Sequence, residues 1–174
     1  TNLKTITLPR TIKRIWNAFE NCPSLERINI PDIQTWLSVD FLDRINPVSH
    51  ASLYIDDECL TDVVIPEDIT IIKEYAFSGF KSLNSVTFTS TNLSKIEYGA
   101  FRECTGLTAV YVSDIMDWLS ITFSYEANPL AYAKNLYVDG EPLTHLNIPE
   151  GVTVNADGFT VISENTLYNR GTIN

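Results

Sequence analysis

Residues Leu60 to Phe88 read LTDVVIPEDITIIKEYAFSGFKSLNSVTF. They hold one full pattern, L-x-x-V-x-I-P followed by I-x-x-I-x-x-Y-A-F-x-x-F-x-x-L, and the opening of the next copy. In the equivalent seeds elsewhere, apolar residues alternate with polar ones, as in Ile6-Thr7-Leu8 and Ile28-Asn29-Ile30. Alternation of period two marks a half-buried strand. Pro66 then ends the pairing, because proline brings no N–H to a ladder. A second short apolar pair follows, and E-Y-A-F at 74–77 is expected to form a single helical or 3₁₀ turn.

The landmarks of this stretch recur through most of the chain. The seed L-x-x-[IV]-x-hydrophobic occurs at Leu3, Leu25, Leu60, Leu83, Leu107 and Leu143, with spacings of 22, 35, 23, 24 and 36 residues. The short spacings fall within the range of leucine-rich repeats. The long ones each carry an insertion, and the insertions are themselves a repeat. Residues 24–47 and 106–129 share nine of 24 positions at a constant offset of 82, including Asp32/Asp114, Trp36/Trp118 and Asn46-Pro47/Asn128-Pro129. Chance pairing would give about one or two. The expected organisation is one array of about six repeats over 1–159, built of two compound units of about 82 residues. Trp-bearing inserts occupy 32–58 and 114–141, and residues 160–174 form a C-terminal cap or a disordered tail.

Within the inserts, Asp32 and Asp114 stand where a helix N-cap would. Ile33, Trp36 and Leu37 follow at helical spacing. Val39/Phe41 and Ile121/Phe123 read as strands, the Asn-Pro pairs as turns, and LYVDGE at 136–141 as a hairpin with a primed turn. Phe19, Phe77, Phe101 and Phe159 would stack along the interior, since no single repeat can bury its apolar face alone. Trp36 and Trp118 recur in register, Trp16 falls where Tyr98 falls, three residues before the A-F phenylalanine, and all three are read as core residues.

The pattern L-x-x-[IV]-x-I-P…[IV]-x-x-I-x-x-x-A-F-x-x-C-x-x-L, together with the W-L-x-[VI]-x-F…N-P insert, resembles the BspA-like leucine-rich repeats of bacterial surface and secreted proteins. The resemblance is close over Leu60–Leu107 and runs from Leu3 to Phe159. It implies a leucine-rich-repeat solenoid, a right-handed superhelix of short strands and turns in the α/β class. It further implies display on the cell surface or outside the cell, frequently in host-associated bacteria, and adhesion or protein binding, with matrix proteins among the partners of the family.

Composition narrows the function classes. The net charge of −10, with 22 acidic against 12 basic residues, argues against a nucleic-acid partner, which would require a basic stripe. No apolar run reaches the length that spans a bilayer. The chain starts at Thr1 without an initiating Met or a leader, which leaves room for a removed export signal, and it is expected to be part of a longer protein.

No constellation for catalysis or metal binding stands out. Cys22, Cys59 and Cys104 form no C-x-x-C pair, and Phe80 replaces Cys in the third copy, the mark of a buried apolar position. His50 and His145 are not equivalent and lack ligand partners. Asp56-Asp57-Glu58 and Asp139-Gly140-Glu141 lack the spacing of a calcium loop and fit hairpin turns. Asn92-Leu93-Ser94 is a glycosylation sequon in a eukaryotic host only. No cofactor is expected.

What remains is a surface. The outward positions Thr7, Asn29, Val64, Thr87, Tyr111 and Asn147, flanked by Thr5, Arg27, Asp62, Ser85, Ala109 and His145, vary in chemistry while their inward neighbours do not. A repeat array places contacts on such a row. The expected function is a non-catalytic module that binds a host or neighbouring-cell protein. A glycan-binding module, resting on the aromatic residues, and a passive spacer in a larger surface protein are the alternatives.

Overall fold

The computed structural model describes residues 2–16, 18, 19, 21–42, 46–148, 153, 154, 166–169, 172 and 173, with side chains described up to residue 144. All six seeds are strands: β1 (Thr5–Thr7), β3 (Arg27–Asn29), β7 (Asp62–Ile65), β9 (Ser85–Phe88), β11 (Ala109–Val112) and β15 (His145–Ile148). A shorter strand follows each of them: β2 (Arg14–Ile15), β4 (Asp40–Phe41), β8 (Ile71–Ile72), β10 (Lys95–Ile96), β12 (Thr122–Phe123) and β16 (Thr153–Val154). The inserts add two hairpins, β5 (Ser52–Ile55) with β6 (Glu58–Cys59), and β13 (Leu136–Val138) with β14 (Glu141–Pro142). Two further strands, β17 (Thr166–Asn169) and β18 (Thr172–Ile173), pair in parallel with β15 and β16. The remainder of 160–174 lies outside the described residues, as does Phe159. Among the described residues every pairing outside the two hairpins is parallel, and helices are few and short.

The long spacings divide differently from a repeat with a simple insertion. Ile28 pairs with Leu53, 25 residues on, and Val110 pairs with Leu136, 26 residues on. Each insert therefore lays its own parallel rung at nearly the spacing of the short repeats, then reverses in a hairpin. The antiparallel outer strand closes that ladder, so the next seed begins a new one. The resulting orders are β1-β3-β5-β6 and β14-β13-β11-β9-β7. The hairpin turns have two consecutive residues at positive φ, Asp56 and Asp57 in the first (49° and 67°) and Asp139 and Gly140 in the second (50° and 83°). Asp and Gly favour that conformation, and it twists the chain as flanking strands require.

Local chemistry explains the elements. Asp32 Oδ1 accepts from Thr35 N at 2.7 Å and starts α1 (Ile33–Leu37); Asp114 Oδ1 accepts from Met116 N at 2.7 Å and starts α2 (Ile115–Ser120). Asn46 caps a 3₁₀ turn at Pro47–Ser49, and α3 (Leu130–Ala133) occupies the matching place in the second insert. Pro66 accepts from Ile69 N at 3.1 Å, turning the chain towards β8. In the next repeat Thr89 follows the strand and donates Oγ1–H to Ile65 O at 2.7 Å, and the buried Ser90 after it has its Oγ 3.0 and 2.9 Å from the carbonyls of Glu67 and Ile69.

The E-Y-A-F and Y-G-A-F segments form isolated i to i−3 turns without a continuous helix. Positive φ at Tyr75 (58°) and Gly79 (75°), repeated at Gly99 (61°) and Glu103 (58°), interrupts right-handed coiling. The freed N–H groups bond across repeats instead: Tyr75 N to Tyr98 O at 3.1 Å, Phe77 N to Ala100 O at 2.8 Å and Gly79 N to Arg102 O at 2.7 Å.

One apolar core runs from Leu8 to Leu136 through both ladders. Phe77 and Phe101 stack at 5.2 Å, Phe88 meets Trp118 at 5.2 Å, and Trp118 meets Phe123 at 5.0 Å. Each such side chain, fully buried, contributes about 1.5 to 3 kcal/mol. Trp16 departs from its expected place in the core and is 69% exposed. In its register, Glu74 is also exposed, and Tyr98 is half-buried because it packs between Tyr75 and Tyr125. Trp16 makes no aromatic contact of that kind among the described residues.

Where the ladders break, side chains span the gap. The buried Trp36 donates Nε1–H to Ala76 O at 2.8 Å. Asn46, also buried, donates through Nδ2 to Tyr75 O and Ala76 O, both at 2.8 Å, while its Oδ1 accepts from Val48 N at 3.1 Å. Lys73 Nζ reaches back to Ser38 O and Asp40 Oδ1, both at 2.6 Å. Gly79 lies so close to the first insert that a Cβ there would fall 2.7 Å from Ser49 Cβ. Together these contacts make the first insert a clasp that ties the first ladder to the second.

Candidate functional site: the parallel-strand face

Strand register determines which residues of the outward row are neighbours. In the first ladder Thr5, Arg27 and Ser52 form one line of adjacent rungs, and Thr7, Asn29 and Tyr54 form the other. In the second, Asp62, Ser85 and Ala109 are in line, as are Val64, Thr87, Tyr111 and Tyr137. His145 and Asn147 lie on a separate pair, opposite Thr166 and Tyr168, and their side chains lie outside those described.

The two ladders present different chemistry. On the first, the Arg27 guanidinium sits 4.0 Å from the centroid of the Tyr54 ring. Arg27 also bonds to Asn29 Oδ1 at 2.6 Å and pairs with Asp57 in the hairpin turn. Asn29 Nδ2 in turn donates to Thr7 Oγ1 at 3.2 Å. On the second, Val64 is 53% exposed beside the half-buried Thr87, and Tyr111 stacks on Tyr137 at 4.8 Å with an interplanar angle of 21°. An open groove of about 360 Å³ is lined by Thr87, Phe88, Thr89, Tyr111, Val112, Ser113, Asp139 and Gly140. Two members of the flanking line are not accessible: Ser85 and Ala109 are buried.

Asp62 anchors the polar end of the second ladder. It accepts from Ser85 Oγ at 2.5 Å, Thr61 Oγ1 at 2.8 Å and Asn84 Nδ2 at 3.1 Å. The Ser85 hydroxyl first, then Thr61 and Asn84, hold its carboxyl below the ordinary value of 3.8. A carboxyl depressed on folding stabilises the native state above pH 3.8, and that contribution is lost as the pH falls through the lower folded value. Asp62→Asn should therefore flatten the acid limb of the stability profile. Denaturant unfolding between about pH 5 and pH 2 measures this, and a limb as steep as that of the unaltered protein would refute the assignment.

The row as read from sequence lacked Ser52, Tyr54 and Tyr137, which the insert strands bring into register. A signal was present. Leu53-Tyr54-Ile55 and Leu136-Tyr137-Val138 carry the same inward–outward alternation as Ile28-Asn29-Ile30.

Other candidate sites dissolve on inspection. Trp36 and Trp118 are 0% and 1% exposed, so neither indole can serve as a platform for sugars. Cys104 is buried and bonds to Phe77 O at 3.0 Å, and burial pushes its thiol up to about 12, far from a reactive thiolate. Cys22 is buried and Cys59 is exposed on a hairpin strand. His50 is exposed and bonds through Nδ1 to Ser49 Oγ at 3.1 Å. Among the described residues no group of three or more His, Cys, Asp or Glu side chains is placed to hold a metal ion, and no helix is long and apolar enough to cross a membrane.

The family model described as "BspA type Leucine rich repeat region" matches residues 1–46 and 50–169 in six copies. The chain belongs to this family. No curated protein and no solved structure matches it. BspA-type repeats are generally non-catalytic modules and are commonly associated with bacterial surface proteins. The parallel rungs at intervals of 22 to 26 residues, from Thr5↔Arg27 to Val110↔Leu136, are the physical form of the repeats in this chain.

Proposed function

We propose that this chain is a non-catalytic interaction module, a solenoid segment of a bacterial cell-surface or secreted protein that binds a host or neighbouring-cell protein through its strand face. The array extends over 1–159 in this reading, and 160–174 close or trail it. One observation carries the proposal. Adjacent rungs hold chemically unlike outward residues, Val64, Thr87 and Tyr111, above inner residues that stay apolar, Val63, Val86 and Val110. Core packing explains the inner set and leaves the outer set free to follow a ligand. Among the described residues of the expected row, Thr5, Thr7, Arg27, Asn29, Asp62, Val64, Thr87 and Tyr111 are exposed or half-buried, whereas Ser85 and Ala109 are buried.

Surface-immobilised extracellular-matrix and mucosal proteins provide the test. The unaltered protein should bind at least one of them, and Val64→Glu combined with Thr87→Glu should weaken that binding roughly tenfold or more, as loss of central contacts does. Absence of binding across the panel, or equal binding by the double variant, would refute the proposal.

A further inference from the structure

The internal repeat of the inserts allows one unit to be read against the other. Tyr54 in the first unit corresponds to Tyr137 in the second, Asn29 to Tyr111, and Arg27 to Ala109. In the first unit the aromatic face and the hairpin acid are already occupied: Arg27 lies 4.0 Å from the Tyr54 ring centroid and pairs with Asp57. In the second unit the arginine is gone, and buried Ala109 stands in its place. Tyr111 instead covers one face of Tyr137. Its other face looks towards the neighbouring rung, where Thr87 is too short to cover it, so the groove opens there. In the hairpin turn Gly140 stands where Asp57 pairs with Arg27, and the acid that remains is Asp139, the counterpart of Asp56, which lines the same groove. No basic residue lines that groove, and no cation pairs with Asp139 among the described residues.

We propose that the groove beside Tyr111 binds an arginine side chain presented by an extended segment of a partner protein. The guanidinium stacks on the open face of Tyr111 and pairs with Asp139, repeating in trans what Arg27 does in cis on Tyr54. The net charge of −10 draws such a segment in. The groove also runs beside Thr87 and Thr89, whose methyl groups can flank the methylene stem. This inference rests on the reading of the strand face as a protein-binding surface and names the chemistry recognised there.

Two capped pentapeptides, Gly-Gly-Arg-Gly-Gly and its neutral citrulline counterpart, are titrated into the full chain and followed by NMR. The arginine peptide should shift the Tyr111 ring and the Ser113 and Gly140 amides, while the citrulline peptide leaves them in place. Asp139→Asn, a change at an exposed position, should weaken the arginine response about two- to fivefold, the range of an exposed ion pair. Arg27→Ala should open a second, equivalent response at Tyr54 and Asp57, which in the unaltered protein stays silent. Equal shifts from the citrulline peptide, no response at Tyr111, or no gain at Tyr54 in Arg27→Ala would each overturn the proposal. If matrix proteins bind through the face while the arginine peptide does not, the interaction module stands and the arginine assignment falls. If the peptide binds while no protein of the panel does, the groove's recognition of arginine stands and the reading of the face as one for matrix or mucosal proteins falls.

Discussion

Trp36→Ala should lower the free energy of unfolding by about 4 kcal/mol, the cost of emptying a core site built around an indole. Three effects coincide. Trp36 is fully buried, so substitution leaves a cavity against Phe41, whose ring centroid lies 5.0 Å away. The indole N–H bond to Ala76 O is lost. The site cannot collapse freely, because the insert is pinned on both sides of Trp36, by Lys73 at Ser38 and Asp40 and by Ser49 packed against Gly79. Denaturant titration checks the figure, and a loss below about 1.5 kcal/mol would mean that the insert is only loosely attached.

Asn46→Ala comes next, at about 3 kcal/mol, for a different reason. Little volume is removed, but one buried amide satisfies Tyr75 O, Ala76 O and Val48 N together. Each buried polar group left without its partner costs about 1 to 3 kcal/mol. Ala76 O accepts from both Asn46 and Trp36, so either donor partly covers for loss of the other. The double variant should therefore lose more than the sum of the two single losses, as measured by a double-mutant cycle. Strict additivity would show that the two donors act independently and that the clasp is no unit.

Much of this was legible in the chain because the relevant physics is local. Alternation at Ile28-Asn29-Ile30 gave the strand, Asp32 and Asp114 the helix starts, and Asp139-Gly140 the hairpin turn. The rung supplied by each insert was hidden, because anchoring repeats on the leucine seed leaves Leu53 and Leu136 out of the count. Register also misjudged Trp16. It tells which positions are equivalent, and it cannot tell whether a flanking residue such as Tyr125, which covers Tyr98, is present to bury the side chain. Ser85 and Ala109 were misplaced for the same reason: they alternate outward, yet neighbouring rungs bury them. The clasp was the least legible feature. Trp36 and Ala76 are 40 residues apart, and nothing in either segment names the other.

The candidate site inherits this division. Val64, Thr87 and Tyr111 could be drawn from alternation alone. That Tyr137 stacks on Tyr111, and that the Arg27–Tyr54 pair has no counterpart beside them, required the register across the insert.

The strand face can act as one surface only if the clasp makes the two ladders a single body. Native-state hydrogen exchange measures this directly, through the slowest amides of β3 in the first ladder and β9 in the second. The same opening free energy is expected in both, and Asn46→Ala should lower the two together. Exchange from β3 at a much lower free energy than from β9, with Asn46→Ala affecting only one of them, would show two independent ladders and contradict the continuous core.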